Sequence, residues 1–250
     1  MIVGISMVKD EADVIESVLR HLFAEGLDLI LVADNLSTDG TSGILADLAT
    51  EFPLSVIEDP VVGYYQALKT TALADRARLA GAEWILPFDA DEVFYSPDGR
   101  SIADSLSDAD AEVIEARGWD HIVRTSEHGP FSDWRRPHQQ KFPKVAFRPY
   151  EGAWLHMGNH NVERPGRRTS EPLAYRHFQY RSLEQMTRKF RNGKAAYDAS
   201  DVDKGHGTHW REGGAKTDDQ LSKEWTDLCA SDDLVYDPVP FRSGLPGIAA

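Results

Sequence analysis

The 250-residue chain contains a single cysteine, Cys229, so it can form no internal disulfide and cannot build a thiolate zinc site. Basic residues are scarce. The 27 Lys and Arg stand against 41 Asp and Glu, a formal charge of −14, which disfavours non-specific attachment to nucleic acid or to an anionic membrane. No apolar stretch approaches the ~20 residues of a membrane span, and residues 1–9 lack the basic-then-apolar pattern of a signal peptide. The expectation is a soluble, cytoplasmic protein with no nucleic-acid partner and no membrane span. Three phosphate or nucleophile signatures are missing too. There is no Gly-x-Gly-x-x-Gly after the first apolar run, no Gly-x-x-x-x-Gly-Lys-[Ser/Thr] and no Gly-x-Ser-x-Gly, which argues against a dinucleotide fold, a P-loop and an α/β-hydrolase. What is present is ordinary globular composition, 41% apolar and 27% charged, in a chain long enough for one large domain or a domain with an appendage.

The first 90 residues alternate. Residues 2–7 form a short apolar run. Asp10 can cap a helix whose apolar positions Val14, Val18, Leu19, Leu22 and Phe23 recur at helical spacing until Gly26. Residues 29–33 read as a buried strand, 41–52 as a second helix, 54–57 as a strand, 64–79 as a third helix closed by Gly81, and 84–88 as a fourth strand containing Pro87. This alternation predicts an α/β fold with a mostly parallel sheet flanked by helices. Beyond it the pattern loosens. Strands are expected at 111–116, 121–125, 144–148 and 173–180, with a polar loop over 127–141. Ser182 followed by Gln185 predicts a capped helix to about residue 199. Residues 200–250 read as a loosely attached, smaller C-terminal part with one short helix near 221–228.

Ligands of parallel α/β sheets bind at the carboxyl ends of the strands. There the second strand runs into Asp34-Asn35-Leu36-Ser37-Thr38-Asp39-Gly40-Thr41, and the fourth into Asp89-Ala90-Asp91-Glu92. Taken alone, the first is a turn with a helix cap, and an isolated Asp-Xaa-Asp is common. Together, on one edge of one sheet, they point to a site. Asp89 and Asp91 share a face of extended chain, and two such carboxylates call for a hard divalent ion or another positive partner.

In that order, Lys9-Asp10-Glu11, residues 31–41 and Phe88-Asp89-Ala90-Asp91-Glu92 resemble the family 2 glycosyltransferases of the GT-A fold, with Asp10, Asn35 and Leu36 standing where that family usually has Asn, Asp and Gly. Lys144-Val145-Ala146-Phe147-Arg148-Pro149, Leu155-His156-Met157-Gly158-Asn159-His160 and Tyr175-Arg176-His177-Phe178-Gln179-Tyr180-Arg181-Ser182 resemble a bacterial subgroup of it. The resemblance implies a GT-A domain over 1–199, its nucleotide-binding half 1–95 and its acceptor half 96–199, with 200–250 as an extension. It implies transfer of a sugar, with inversion, from a nucleoside-diphosphate sugar to an acceptor hydroxyl on a polysaccharide, lipid, protein or small molecule. It also implies a divalent metal, Mn²⁺ or Mg²⁺, held by Asp91 with Asp89 nearby and His177 as a further ligand, and donor contacts from Ser6, Glu11, Asp34, Asn35, Asp89 and Arg181.

The first four strands supply a nucleotide shelf but neither acceptor wall nor base. A neutral imidazole or a carboxylate from later in the chain must take the acceptor's proton. His160, Glu163 and Glu184 are the candidates, although Glu184 equally suits the positive end of its own helix. Arg181, Arg188, Lys189 and Arg191 form either a solvated helix face or a diphosphate-binding one, with Arg181 the foremost candidate for the latter. Two other functions compete: a sugar nucleotidyltransferase, and a non-catalytic nucleotide- or carbohydrate-binding module.

Overall fold

A computed structural model describes residues 1–124, 129–203, 205–238 and 241. The chain opens with β1 (Ile2–Val8), α1 (Ile15–Ala24), β2 (Leu29–Asp34), α2 (Thr41–Glu51), β3 (Leu54–Glu58), α3 (Gln66–Leu79) and β4 (Trp84–Pro87). It continues through β5 (Glu92–Tyr95), α4 (Ile102–Ser107), β6 (Val113–Asp120), β7 (Trp134–Arg135), β8 (Lys144–Phe147), β9 (Trp154–Leu155), β10 (Val162–Glu163), β11 (Arg168–Thr169) and β12 (Ala174–His177). The last elements are α5 (Leu183–Asp198), α6 (Thr208–Ala215), α7 (Asp218–Cys229) and β13 (Val235–Tyr236).

The main sheet runs β3-β2-β1-β4-β8-β6-β12-β5, with β11 also on β6. β1 to β4 are mutually parallel, β8 lies antiparallel between β4 and β6, and β12 pairs parallel with β6 and antiparallel with β5. This is the α/β, GT-A-like architecture expected, with two small antiparallel pairs, β9–β10 and β7–β13, beside it. The parallel strands carry apolar side chains on both faces because helices cover both. Ile2, Val8, Ile30, Val32, Trp84 and Phe88 pack under α1 and α2, while Val3, Ile5, Leu31 and Ile85 pack under α3. Gly4 allows the close layer, since a Cβ there would lie 2.9 Å from Leu27 and 3.2 Å from Phe88.

The strand order has a functional consequence. From β1 the chain winds outward through β2 to β3, then returns through α3 to the other side of β1 as β4. The carboxyl ends of β1 and β4 therefore flank the reversal point, where crevices open in such sheets.

Several local expectations are corrected. Asp10 does not cap α1, whose N-cap is Val14. Asp10 instead takes a left-handed backbone, φ 56°, and its carboxylate accepts from the Thr38 amide at 2.6 Å. Of the strands expected at 111–116 and 121–125, the first forms as β6, which runs on to Asp120; of the described residues of the second, 121–124, only His121 makes an isolated bridge, to Arg135, and Thr125 and the first two residues of the expected loop, 127–128, lie outside the described residues. Ser182 caps α5 as expected, accepting from the Gln185 amide, but the Gln185 side chain returns to Arg181 N rather than to Ser182.

Residues beyond 200 are more firmly attached than the sequence suggests. α6 and α7 pack on α5 through Phe190, Leu221, Trp210 and Trp225. Gly193 admits the Trp210 ring, which would lie 2.8 Å from a Cβ at that position. β13 pairs with β7, and Asp237 bonds Arg135 and Arg176, each at 3.0 Å. The proline- and glycine-containing end beyond Phe241 lies outside the described residues.

Candidate active site

A cavity of about 740 Å³ opens at the carboxyl ends of β1 and β4. Its floor is residues 7–11 and 89–91, one wall is α5, and the rim opposite is the segment 136–142. On α5 the lining residues are Gln185, Arg188, Lys189, Asn192, Gly193, Ala196 and Tyr197, a 3–4 spacing that places them on one stripe of the helix. His209 and Trp210 of α6 complete that side. Both halves of the chain thus build one site.

Asp89 and Asp91 both line the cavity but have separate surroundings. Asp89 accepts from Lys144 Nζ at 2.5 Å, Asn159 Nδ2 at 3.1 Å and Gln66 Nε2 at 3.2 Å. Lys144 is almost fully buried and also reaches Glu92 Oε1 at 2.7 Å. Burial pushes the Glu92 carboxyl up to about 7 against the pull of Lys144. Asp91, 2% exposed, hydrogen-bonds Lys189 and has His177 Nε2 at 3.6 Å and Arg181 at 3.8 Å. Burial opposes its charge, yet Lys189 and His177 hold its carboxyl well below the usual range. The cations are the positive partners that two carboxylates on one strand end require.

His177, at the end of β12, is held from behind. Its Nδ1 lies 2.9 Å from Asp120 Oδ1, and Gln140 Nε2 donates to the same carboxylate at 2.7 Å. Burial works against a charged ring, but Asp91 and Asp120 push its pKa up to about 10. A carboxylate behind one ring nitrogen, with the other nitrogen turned to a second carboxylate, is the arrangement that presents imidazole to a metal.

Among the described residues no three His, Cys, Asp or Glu side chains form a ready metal cage. A hard divalent ion bound with a diphosphate needs only one or two protein ligands, the rest being phosphate oxygens and water. Asp91 with His177 fits that requirement. Asp89 does not join them, because Gln66 and Asn159 share its Oδ1 and Lys144 holds its Oδ2 on the other side of the floor, leaving one Oδ2 lone pair.

The remaining expected site residues divide. Glu11 lines the cavity, its carboxylate accepting from Arg181 and Lys189 at 3.2 Å, and burial pushes its pKa up. Asn35 also lines the cavity, its amide donating to Asp59 and Val61 O. Asp34 does not. Its carboxylate accepts from Ser37 N at 3.2 Å and from Ser42 Oγ, so it braces its own loop. Thr41 Oγ1 and Asp39 Oδ2 accept from Glu11 N and Ala12 N, and the segment 34–41 thereby fixes the loop after β1. Ser6 is fully buried on the α1 face, away from the lining, and its Oγ has no partner among the described residues. Arg181 is buried beneath the floor, bonded to Asp13 at 2.7 and 2.8 Å, to Glu11 and to Phe178 O. The cations that α5 presents to the cavity are Arg188 and Lys189, while Arg191 turns toward Gly214 O and Lys216 O.

Of the three base candidates, only His160 lies in the cavity. Its Nδ1 donates to Pro143 O at 2.9 Å, which leaves Nε2 as the free acceptor, and burial lowers its pKa, so the ring is neutral at pH 7. Glu163 is exposed and pairs with the half-exposed His156 at 2.9 Å, and Glu184 is exposed on the first turn of α5. Neither lines the cavity. The sequence reading gave no site role to Lys144 or Asp120, and it named Lys189 only as one of four cations on a face either solvated or diphosphate-binding. Each acquires its role from a partner 55 or more residues away.

No protein-family model matches this sequence, and no curated protein matches it. Among solved structures the chain is similar to S. aureus TarS 1-349 in complex with UDP, at 13% identity and a TM-score of 0.48, over 90% of this chain and 70% of that one. It is likewise similar to S. aureus TarS 1-349 in complex with UDP-GlcNAc, at 13% identity and a TM-score of 0.49, over 91% and 72%. Among the described residues no helix is long and apolar enough to cross a membrane.

Proposed function

We propose that this chain is a metal-dependent glycosyltransferase, moving a sugar from a nucleoside-diphosphate donor to an acceptor hydroxyl with inversion. The observation that carries the proposal is the pair Asp89 and Asp91 at the switch-point end of β4, opening into a cavity whose far wall is a cationic stripe of α5.

The chemistry follows from the charges. Departure of a nucleoside diphosphate leaves negative charge on phosphate oxygens, and catalysis must stabilise that charge as it forms. Lys189, bonded to Asp91, and Arg188, bonded to Asp10 O, both line the cavity and supply positive charge there. A divalent ion held by Asp91 and His177 would add Lewis-acid neutralisation of the same group when bound. Asp120 orients His177 in either case. Asn35, Lys9 and Asp10 line the end of the cavity nearest β2 and are assigned to the nucleoside.

Asp89 sits on the other side of the floor, fixed by Lys144 and Asn159, where it can accept from donor hydroxyls. His160 lies on this side too and, with its Nε2 lone pair free, is assigned to take the acceptor's proton. Asp120 is the poorer base, since His177 and Gln140 occupy it and hold its pKa low against burial. The rim segment with Arg136, His138 and Phe142 receives the acceptor.

Calorimetry with UDP, GDP and the deoxythymidine diphosphate, each with Mn²⁺, tests the binding half of this reading. At least one should bind, and Arg188→Ala together with Lys189→Ala should weaken it by about tenfold or more, as loss of two charge-assisted contacts implies. Failure of all three to bind would refute it.

A further inference from the structure

Lys189 occupies the place where a cation bound to Asp91 would have to sit. Its Nζ hydrogen-bonds Asp91 Oδ2 and lies 3.2 Å from Glu11 Oε1, bridging the strand-one and strand-four ends. Its neighbours on the α5 stripe are fixed differently. Asn192 donates to the Asp10 carboxylate at 2.6 Å, and Arg188 donates to Asp10 O at 3.2 Å and to Asp39 at 3.4 Å. Among the described residues, Lys189 Nζ hydrogen-bonds only carboxylates, on a flexible four-carbon stem that turns readily toward another anion. Arg181, held rigidly by Asp13, already supplies a second positive charge 3.8 Å from Asp91, and His177 a third group at 3.6 Å.

A divalent ion placed on Asp91 while Lys189 stays would set like charges a few ångströms apart beside a carboxylate that is itself buried, where their repulsion is only partly weakened by solvent. A diphosphate entering the cavity changes this. It offers Lys189 new acceptors a short side-chain swing away, and it offers the ion additional oxygens. We infer that Lys189 is a place-holding cation that keeps a divalent ion off Asp91 until a nucleoside diphosphate draws the lysine away, so that metal and diphosphate enter as a coupled pair. The inference rests on the reading of Asp91 and His177 as metal ligands. By linkage the coupling is reciprocal: whatever factor the diphosphate adds to metal affinity, the metal adds to diphosphate affinity.

Mn²⁺ alone is the first probe, with the free ion followed by electron paramagnetic resonance in the absence of nucleotide. The wild-type chain should bind Mn²⁺ weakly, and Lys189→Met should bind it about tenfold or more tightly, within the usual range of coupling between sites. Asp91→Asn in the Lys189→Met background should abolish the gain. Thermal melts provide a second readout that guards against misfolding. Lys189→Met leaves Asp91 and Glu11 short of positive charge and should melt lower, and Mn²⁺ should restore much of that loss in this variant while barely moving the wild type. A lysine that merely packs would show no such rescue. Repeating the titration with inorganic pyrophosphate present should bring wild type and variant to similar Mn²⁺ affinity. Equal Mn²⁺ affinity of wild type and Lys189→Met without any phosphate, or no binding by either, would overturn the inference. Failure of the functional reading is distinguishable from both, because it shows as no nucleoside diphosphate binding to any variant with Mn²⁺ present.

Discussion

Replacing Arg181 by Met tests whether the floor of the site is an electrostatic unit. The guanidinium is buried, with its side chain only 1% exposed, and makes a two-point contact with Asp13, a contact with Glu11 and one with the Phe178 carbonyl. It also lies 3.8 Å from Asp91. Removing one partner of a buried ion pair typically costs about 3–5 kcal/mol, because the charge left behind is uncompensated. Two features place this case near the lower end. The Asp13 side chain is 36% exposed and can recover water, while Glu11 and Asp91 retain Lys189. A loss of about 3 kcal/mol is therefore expected, or roughly 6–12 °C in Tm for a chain of this size. Urea unfolding followed by circular dichroism measures it. Arg181→Lys should recover only part of the loss, since an ammonium cannot reproduce the planar fork. A change below about 1 kcal/mol in Arg181→Met would show that the contacts joining the loop after β1 to the start of α5 contribute little, and would refute the reasoning.

Further predictions concern other links of the structure. Gly118→Ala should destabilise by about 1–3 kcal/mol in the same assay, because its Cβ would lie 2.1 Å from the Tyr175 ring, a buried aromatic that cannot retreat; an unchanged midpoint would contradict the packing. His177, with its pKa raised from 6.5 to about 10, contributes stability that is fully present below about pH 6.5 and is lost as pH rises toward 10. Stability should therefore fall across that window in the wild type and fall less in His177→Gln. Asp91, with its pKa depressed, contributes stability present above the ordinary carboxylate range and lost only in strong acid, so Asp91→Asn should flatten the acid limb. Trp210→Ala should leave the β-sheet signal intact but weaken ligand binding in calorimetry, since its ring closes the α5 side of the cavity.

The first four strands and three helices were legible because each is short, apolar at a regular period and bounded by Gly, Pro or Asp. That periodicity also located Asp89 and Asp91 at a carboxyl edge. The loop 34–41 shows where local reading stops. Its turn residues were visible, but only the fold shows that Asp34 braces Ser37 and Ser42 while Asn35 alone reaches the cavity. The α5 stripe was left open between a solvated face and a diphosphate-binding one for a related reason. Polar residues at 185, 188, 189 and 192 look like a solvated face until another element closes over them, and that element, α6, sits in a segment whose polar, glycine-rich text hid it. Gly193, Gly213 and Gly214 are there because α5 and α6 approach closely, with a Cβ at Gly213 only 2.1 Å from Phe190. Lys144 was invisible as a site residue because its role depends on β8 inserting antiparallel between β4 and β6, a non-local pairing with no local signal.

The central claim is that the Asp91 edge of the cavity assists departure of a nucleoside diphosphate from a sugar. The most direct measurement is release of nucleoside diphosphate from a panel of nucleotide sugars, with Mn²⁺ or Mg²⁺ and no acceptor, by the wild type and by Asp91→Asn of verified fold. The account predicts slow release from at least one donor by the wild type, and a loss of about a hundredfold or more in the variant, the scale of removing one group that stabilises developing charge. Release at the wild-type rate by Asp91→Asn, or none from any donor by the wild type, would contradict it.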